Sequence, residues 1–395
     1  MVFKEADLPL EVVILMVGGM AMLITGVLLF PVSDGTLPYY ENGLYGLLLI
    51  IFSLQIITLG KTPFGDMPRS KLLLAVGVLI AAVGIVTCFI PILIRLPRVL
   101  LFLCFGPGGF LLLLQMCFAK DKFRSWSKYG GIFRHLILGC SGVYVLSMLI
   151  ALLLWKQSLL TTPMTAVAVL FFGVAIFYLA GVLRKIYRTY PEAEKRLGGH
   201  VELSTNQAML LLMGVFMLLL GGLLVPVSLG MLPFSGSAQL GLLMVIFAVQ
   251  MLASGSTPIG PFPRSWLVIG FGLLFAALGI VSCIIPEILV PALTVLVGVL
   301  NILGGVIALA KMWGSRPGKT NEPREPVPSV LTRLFAAQLT MNLLMILFGT
   351  SMLIPGLVPT PIIGVILAAN GSVLLYLLSI LVALDKMRGD VKNAA

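Results

Sequence analysis

Charge is scarce in this chain of 395 residues. Only 10% of the residues are charged, whereas 59% are hydrophobic, and the mean hydropathy is +1.11. A soluble protein of this length needs a charged surface, and this sequence has too little charge to form one. The long apolar runs therefore predict membrane-spanning helices of about 20 residues each. Strands that cross a membrane would alternate between apolar and polar residues, and these runs do not.

Acidic residues are missing from the apolar runs. All fifteen Asp and Glu residues fall outside the predicted spans, and no Lys, Arg or His lies near the middle of one. Transporters that couple to protons or cations usually need an ionisable group within the membrane. This distribution argues against coupled transport, but it leaves facilitated diffusion of a neutral solute open.

Metal-binding and catalytic patterns are also missing. The five cysteines lie in apolar runs without ligand spacing, and the two histidines, His135 and His200, are isolated. No nucleophile is paired with a base along the sequence. We therefore expect no metal, no cofactor and no enzymatic activity. The net charge of +11 is expected to face lipid headgroups at the membrane surface and not nucleic acid.

Twelve runs have the length and apolarity of a membrane span. They cover residues 12–32, 43–60, 72–94, 99–119, 133–155, 163–183, 207–227, 238–255, 266–286, 291–312, 331–354 and 361–384. With a cytoplasmic N-terminus, all but three of the 26 Lys and Arg residues lie on the cytoplasmic side; the exceptions are Arg95, Arg98 and Lys156. The positive-inside rule then places both termini in the cytoplasm. No cleavable signal peptide is recognisable, so we expect a multi-pass protein of the inner (plasma) membrane with membrane lipids as partners.

The two halves of the chain repeat at an offset of 195 residues. The segment TPFGDMPRS at 62–70 returns as TPIGPFPRS at 257–265, and about half of the positions from 31 to 91 are identical in the second copy. Each half holds six predicted spans, an even number, so the two copies enter the membrane from the same side. The sequence predicts a first six-helix repeat at 1–183, a cytoplasmic linker at 184–206 and a second six-helix repeat at 207–395.

Paired glycines recur within each copy. The first span carries Gly19, Gly26 and Pro31, and the third carries Gly77, Gly84 and Pro91, with equivalents in the seventh and ninth spans. Two glycines seven residues apart lie on one helix face, where a neighbouring helix can approach closely. The pattern predicts an all-α integral membrane protein in which each six-helix repeat consists of three helical hairpins.

These hairpins resemble those of the HdeD-type acid-resistance membrane proteins, and the chain resembles two such six-helix units in tandem. The third and sixth hairpins depart from the pattern, since Leu149 stands where the second glycine would be. The resemblance implies a non-enzymatic inner-membrane protein that acts in stress or acid tolerance or supports a membrane complex. Its protein partner would be another membrane protein or a second copy of the chain. The alternative is a small-solute transporter resembling the major facilitator class, which also has six plus six helices.

Few polar residues lie within the spans. Asn301, Asn342 and Asn370 fall near the middle of the last three spans, and Gln55 and Gln250 are equivalent residues of the two copies. These five residues are a candidate intramembrane polar site. The alternative, which we favour, is that they form hydrogen bonds between helices worth about 0.6 kcal/mol each.

The repeated loop contains a second candidate site. Arg69 and Arg264 occupy equivalent positions beside glycine and proline, where they could bind an anion or a lipid headgroup. The favoured alternative is a rigid turn that carries a positive anchor for the next helix.

Overall fold

The structure is a computed structural model that describes residues 8–67, 69–91, 95–119, 126–128, 130–194, 203–314, 329–354 and 356–394. His200 lies outside these ranges. Twelve long helices dominate the described chain: α1 Leu10–Ser33, α2 Glu41–Leu59, α3 Lys71–Phe89, α4 Arg95–Phe118, α5 Ile132–Trp155, α6 Thr162–Thr189, α7 Thr205–Ser228, α8 Gly236–Ser254, α9 Trp266–Ile284, α10 Val290–Gly314, α11 Ser329–Leu353 and α12 Thr360–Ala394.

All twelve helices are long and apolar enough to cross a membrane. This confirms the predicted number of spans and indicates a multi-pass membrane protein. The predicted ends were less accurate. Helix α1 begins at Leu10 and α2 at Glu41, so the acids Glu11 and Glu41 lie in the first turns of two candidate spans. The twelfth candidate span ends at Asp385, so the expectation that every acid lies outside the spans was wrong at three helix ends.

The repeated loop folds into a short antiparallel hairpin in each copy. Strand β1 (Lys61–Thr62) pairs with β2 (Gly65–Asp66), and β3 (Ser256–Thr257) pairs with β4 (Gly260–Pro261). The threonine hydroxyl donates a 2.7 Å hydrogen bond to the glycine carbonyl in both hairpins. The glycines have φ of 137° and 143°, which favour residues without a Cβ. The conserved spacing of Thr and Gly is thus explained by the geometry of the turn.

Contacts divide the described chain into two compact units. The first unit comprises residues 1–202, 234–255 and 263–290, and it contains α1–α6, α8 and α9. The second comprises residues 203–233, 256–262 and 291–395, and it contains α7, α11, α12 and nearly all of α10.

Glycines allow the closest helix contacts of the first unit. A Cβ on Gly84 of α3 would lie 2.9 Å from the carbonyl oxygen of Gly46 in α2. A Cβ on Gly26 of α1 would lie 2.6 Å from Cγ of Leu170 in α6. The first glycine pair therefore faces α6, the sixth helix of the chain, and not the following helix α2. The sequence identified the close-packing face of α1 but did not specify its partner.

Helices α2 and α3 also contact α8 and α9, their equivalents at the 195-residue offset. The Tyr40 amide donates to the Ile284 carbonyl at 2.8 Å, and the Ser235 amide donates to the Phe89 carbonyl at 3.0 Å. The offset relates Tyr40 to Ser235 and Phe89 to Ile284. These two backbone hydrogen bonds hold the helix pairs together within the first unit.

The second unit has its own glycine contacts. A Cβ on Gly349 of α11 would lie 2.7 Å from the carbonyl oxygen of Gly298 in α10, and one on Gly364 of α12 would lie 2.8 Å from that of Gly221 in α7. At the start of α7, the Gln207 amide donates to the Asp385 carboxylate of α12 at 2.7 Å. This unit is therefore held by close helix packing and a polar bond at one end.

Candidate functional site

A cavity of about 450 Å³ lies inside the first unit. Its walls come from α1, α2, α4, α5 and α6, together with β1 and Trp126. Most of its lining is apolar, including Leu15, Met22, Leu112 and Ile176. Binding sites for small molecules are commonly apolar cavities of about 300–1,000 Å³ that carry a few polar groups. The cavity has the size and character of such a site.

Charged and polar groups meet at one end of the cavity. The Lys61 ammonium lies 2.6 Å from one oxygen of the Glu11 carboxylate, and the Tyr187 hydroxyl donates to the other oxygen at 2.6 Å. The Lys61 side chain is 41% exposed, whereas that of Glu11 is 17% exposed. Lys61 thus lines the cavity while its side chain is partly exposed, and we call this the Lys61 end.

Aromatic rings cross the middle of the unit. The rings of Phe52 and Phe105 are 5.2 Å apart between centroids, and those of Phe105 and Phe172 are 5.7 Å apart. All three line the cavity, and both pairs adopt the edge-to-face geometry that aromatic rings prefer. We call these three residues the phenylalanine layer. The Ser147 hydroxyl donates to the Phe105 carbonyl at 3.1 Å and is buried beside the layer.

A second polar network lies at the opposite end of α2. Glu41 accepts hydrogen bonds from the Tyr45 hydroxyl, from the Gln157 amide at 2.9 Å and from Arg98 at 3.3 and 3.4 Å. Burial, and secondarily the negative charge of Glu41, raise the pKa of the neighbouring Tyr39. We call Glu41, Tyr45, Arg98 and Gln157 the Glu41 network.

Helix periodicity connects the network to the cavity. On α2, Glu41 and Tyr45 lie on the same face as the cavity-lining Leu48, Phe52 and Gln55, because these positions follow helical spacing. The polar ends of the unit are therefore joined along one helix face, and the phenylalanine layer lies between them.

Of the residues predicted from sequence, only Gln55 lines this cavity. Gln250, its equivalent in α8, is not part of the cavity wall, and its backbone carbonyl accepts a hydrogen bond from Ser254. The three asparagines lie in the second unit, so the five residues of the candidate polar site are not gathered around this cavity.

Each asparagine is buried in a helix of the second unit. The Asn301 amide donates to the Val297 carbonyl of its own helix at 2.8 Å, and the Asn342 amide lies 3.4 Å from the sulfur of Met312. The side-chain oxygen of Asn370 is buried without a partner. Among the described residues, no hydrogen bond joins two of these asparagines, which favours local packing roles.

The two loop arginines have partners within the protein. Arg264 donates to the Leu8 carbonyl at 3.2 Å, and Arg69 is buried against the turn at Gly60. These contacts favour the structural alternative for both side chains. Binding of an anion or a lipid headgroup at Arg69 and Arg264 stays a prediction.

Sequence reasoning missed Glu11, Lys61, Tyr187 and the Glu41 network. One signal was available, because Arg98 is among the three basic residues on the side where the positive-inside rule expects few. A cation at such a position needs an anionic partner, and Glu41 provides it. Another signal was Lys61, which replaces the Ser256 of the second copy inside an otherwise similar loop.

Among the described residues, no group of three His, Cys, Asp or Glu side chains could hold a metal ion. No protein-family model, curated protein or solved structure matches the chain.

Proposed function

We propose that the protein is a non-enzymatic membrane carrier that binds a small, uncharged amphipathic molecule in the cavity of its first unit. The observation that carries this proposal is the cavity itself, which is lined by the partly exposed Lys61 at one end and by the phenylalanine layer further in; the proposal takes it to open at the Lys61 end. A cavity with access from one side is what a carrier needs in one of its two alternating states.

The chemistry of the wall indicates the class of solute. The apolar lining suits a hydrophobic body, while Gln55 offers hydrogen bonds near the Lys61 end. Lys61 and Glu11 neutralise each other, so this end has little electrostatic preference for an anion or a cation. An alcohol or a carbonyl compound with an aliphatic body would satisfy both parts of the cavity.

The positions of the charges support facilitated diffusion over coupled transport. Glu11 and Glu41 lie in the first turns of α1 and α2, at the ends of their spans. Proton relays use ionisable groups within the membrane, and here the middle of the unit is occupied by aromatic rings. The solute would therefore move down its own concentration gradient.

The orientation is part of the proposal. The excess of Lys and Arg places the Lys61 end in the cytoplasm, the Glu41 network on the outer side and both termini in the cytoplasm of the inner membrane. We also propose that the chain consists of two parallel six-helix repeats, which derive from a six-helix unit of the HdeD type. The repeated glycines and loops support this origin.

A second candidate function is support of a membrane complex or stress tolerance, as the HdeD resemblance implies, with a membrane protein or a second copy as partner. It is favoured by the close packing of α2 and α3 with α8 and α9, where two backbone hydrogen bonds are formed between equivalent donors and equivalent acceptors of the two copies. Under this candidate the cavity would hold no specific ligand.

Filling the cavity separates the two candidates. Gly18 lines the cavity, and a Cβ there would contact only Cγ2 of Ile51 at 3.7 Å, so Gly18→Met places a longer side chain in the cavity without a backbone clash. Gly142→Met is the matched control, because a Cβ on Gly142 meets nothing within 4 Å and Gly142 lies outside the cavity wall.

The probe is an aliphatic diazirine alcohol, added to the purified protein in nanodiscs and activated by light, with adducts mapped by peptide mass spectrometry. The carrier proposal predicts saturable adducts on cavity residues such as Cys104 and Cys140, abolished by Gly18→Met and kept in Gly142→Met. Adducts that are the same in both variants, or that do not saturate, would contradict a cavity site and favour the second candidate.

A further inference from the structure

We propose that the Glu41 network is the outer gate of the carrier, which seals the cavity on the side away from Lys61. This inference rests on the proposed carrier function. It adds a role for four residues that the binding site itself does not use.

The network lies where a gate is needed. Arg98 of α4 precedes the cavity-lining Phe105 by seven residues, two helical turns on the same face. Tyr45 of α2 likewise precedes Phe52 by seven residues. The ion pair between α2 and α4 thus lies directly above the contact that Phe52 makes with Phe105. A solute that leaves the cavity in this direction must separate both contacts.

Within the network, the contact between Arg98 and Glu41 is the long one. Arg98 contacts Glu41 through one nitrogen at 3.3 and 3.4 Å, and its Nε is buried without a partner. At the Lys61 end, by contrast, the ion pair has a distance of 2.6 Å. A fixed structural ion pair is expected to satisfy its buried nitrogens. The side chains of Arg98 and Glu41 are 28% and 31% exposed, so water can replace their contact when it opens.

The network is specific to the copy that contains the cavity. The second copy has Gly236, Leu240 and Leu293 at the positions of Glu41, Tyr45 and Arg98. The copies differ at every position from 39 to 45, although about half of the surrounding positions are identical. If these polar residues only supported the shared helix packing, the second copy would need them as well. Their presence beside the cavity fits a role in its access.

The native Cys104 can report on the gate, because it lines the cavity. Cys117→Ala and Cys140→Ala remove the other accessible or cavity-lining thiols, while Cys88 and Cys283 are fully buried. The measurement is the rate at which a membrane-impermeant methanethiosulfonate reacts with Cys104 when applied from the Glu41 side of oriented vesicles. Arg98→Leu, which introduces the residue of the second copy, removes the ion pair.

The gate predicts that Arg98→Leu raises this rate about fivefold, the change expected from losing one partly exposed ion pair. Lys156→Leu is the control, because it removes the cation that precedes Gln157 in the sequence and that makes no hydrogen bond to Glu41, and it should leave the rate unchanged. The charge exchange Glu41→Arg with Arg98→Glu should restore a slow rate, which also shows that the variants fold.

Two results separate the gate from the carrier. If Arg98→Leu and the charge exchange both leave the rate unchanged while Cys104 still reacts from the Lys61 side, the gate is overturned and the carrier stands. If Cys104 fails to react from the Lys61 side in the protein whose Glu41 network is intact, the carrier proposal is contradicted.

Discussion

The two copies of the duplicated sequence share their packing glycines but differ at four charged residues of the first unit. Glycines at equivalent positions bring α2 against α3 and α8 against α9, since Gly46 approaches Gly84 as Gly241 approaches Gly279. In the second copy, Glu11, Lys61, Glu41 and Arg98 correspond to Asn206, Ser256, Gly236 and Leu293, whereas the arginine of the repeated loop is kept. Of these four residues, Glu11 and Lys61 line the cavity, and Glu41 and Arg98 belong to the Glu41 network.

The same contrast holds for the cavity wall. Gly18 leaves space in the first copy, whereas the second copy has the buried Met213 at this position. Phe172 of the phenylalanine layer corresponds to Asn370, which belongs to a closely packed helix. A function located in the first copy explains why these differences gather at one place.

The largest loss of stability is expected at the glycines that both copies share. Gly84→Leu would place a Cβ 2.9 Å from both the Gly46 carbonyl oxygen and Cγ1 of Ile50, so α2 and α3 would have to separate. Overpacking of this kind costs about 3 kcal/mol. The thermal unfolding midpoint in detergent should fall clearly for Gly84→Leu and for its equivalent, Gly279→Leu. A midpoint equal to that of the control Gly142→Leu would show that the shared glycines do not hold these helices.

A smaller loss of stability is expected at the Lys61 end of the cavity, where the two copies have different residues. Glu11→Asn introduces the residue of the second copy and leaves Lys61 and Tyr187 without their carboxylate. We expect a loss of about 1–2 kcal/mol, because hydrogen bonds to a charged group are stronger than neutral ones. Lys61→Ser should cost less, about 1 kcal/mol or below, because Lys61 is partly exposed.

Denaturant unfolding measures the free energy lost in each case. It is applied to the two single variants and to the double variant. In the double variant the costs should be less than additive, because both changes remove the same pair. Strict additivity would mean that Glu11 and Lys61 do not interact energetically.

The smallest change in stability is expected at the asparagines of the second copy. Asn370→Leu removes a buried oxygen that has no partner, and replacing such a group by an apolar one is nearly neutral or stabilising. Asn301→Leu removes one bond to its own helix and should cost about 0.6 kcal/mol. Probe labelling should be unchanged in both variants. Lost labelling in a protein that still folds would place the functional site in the second copy after all.

Hydropathy was sufficient to predict the twelve helices, because each span is a local property of about 20 residues. The glycine spacing located the close-packing faces, but it could not identify the partner helix. Gly26 packs against α6, which is remote in sequence, and no local pattern encodes that choice.

The cavity could not be predicted, because it is a space between five helices whose lining residues are up to 176 residues apart in the sequence. Its charged ends were hidden by an error of two residues in the predicted starts of α1 and α2, which moved Glu11 and Glu41 outside the spans. Asn301 was a candidate site residue because it is a polar residue within a span, but its amide donates a hydrogen bond to its own helix.

Reaction of Cys104 from the two sides of the membrane tests the carrier most directly. In the Cys117→Ala, Cys140→Ala background with the Glu41 network intact, an impermeant thiol reagent applied from the Lys61 side should modify Cys104, and Gly18→Met should block the reaction. The same reagent applied from the Glu41 side should react far more slowly. Equal rates from both sides, or no reaction from the Lys61 side, would contradict a cavity that opens at one end and is gated at the other.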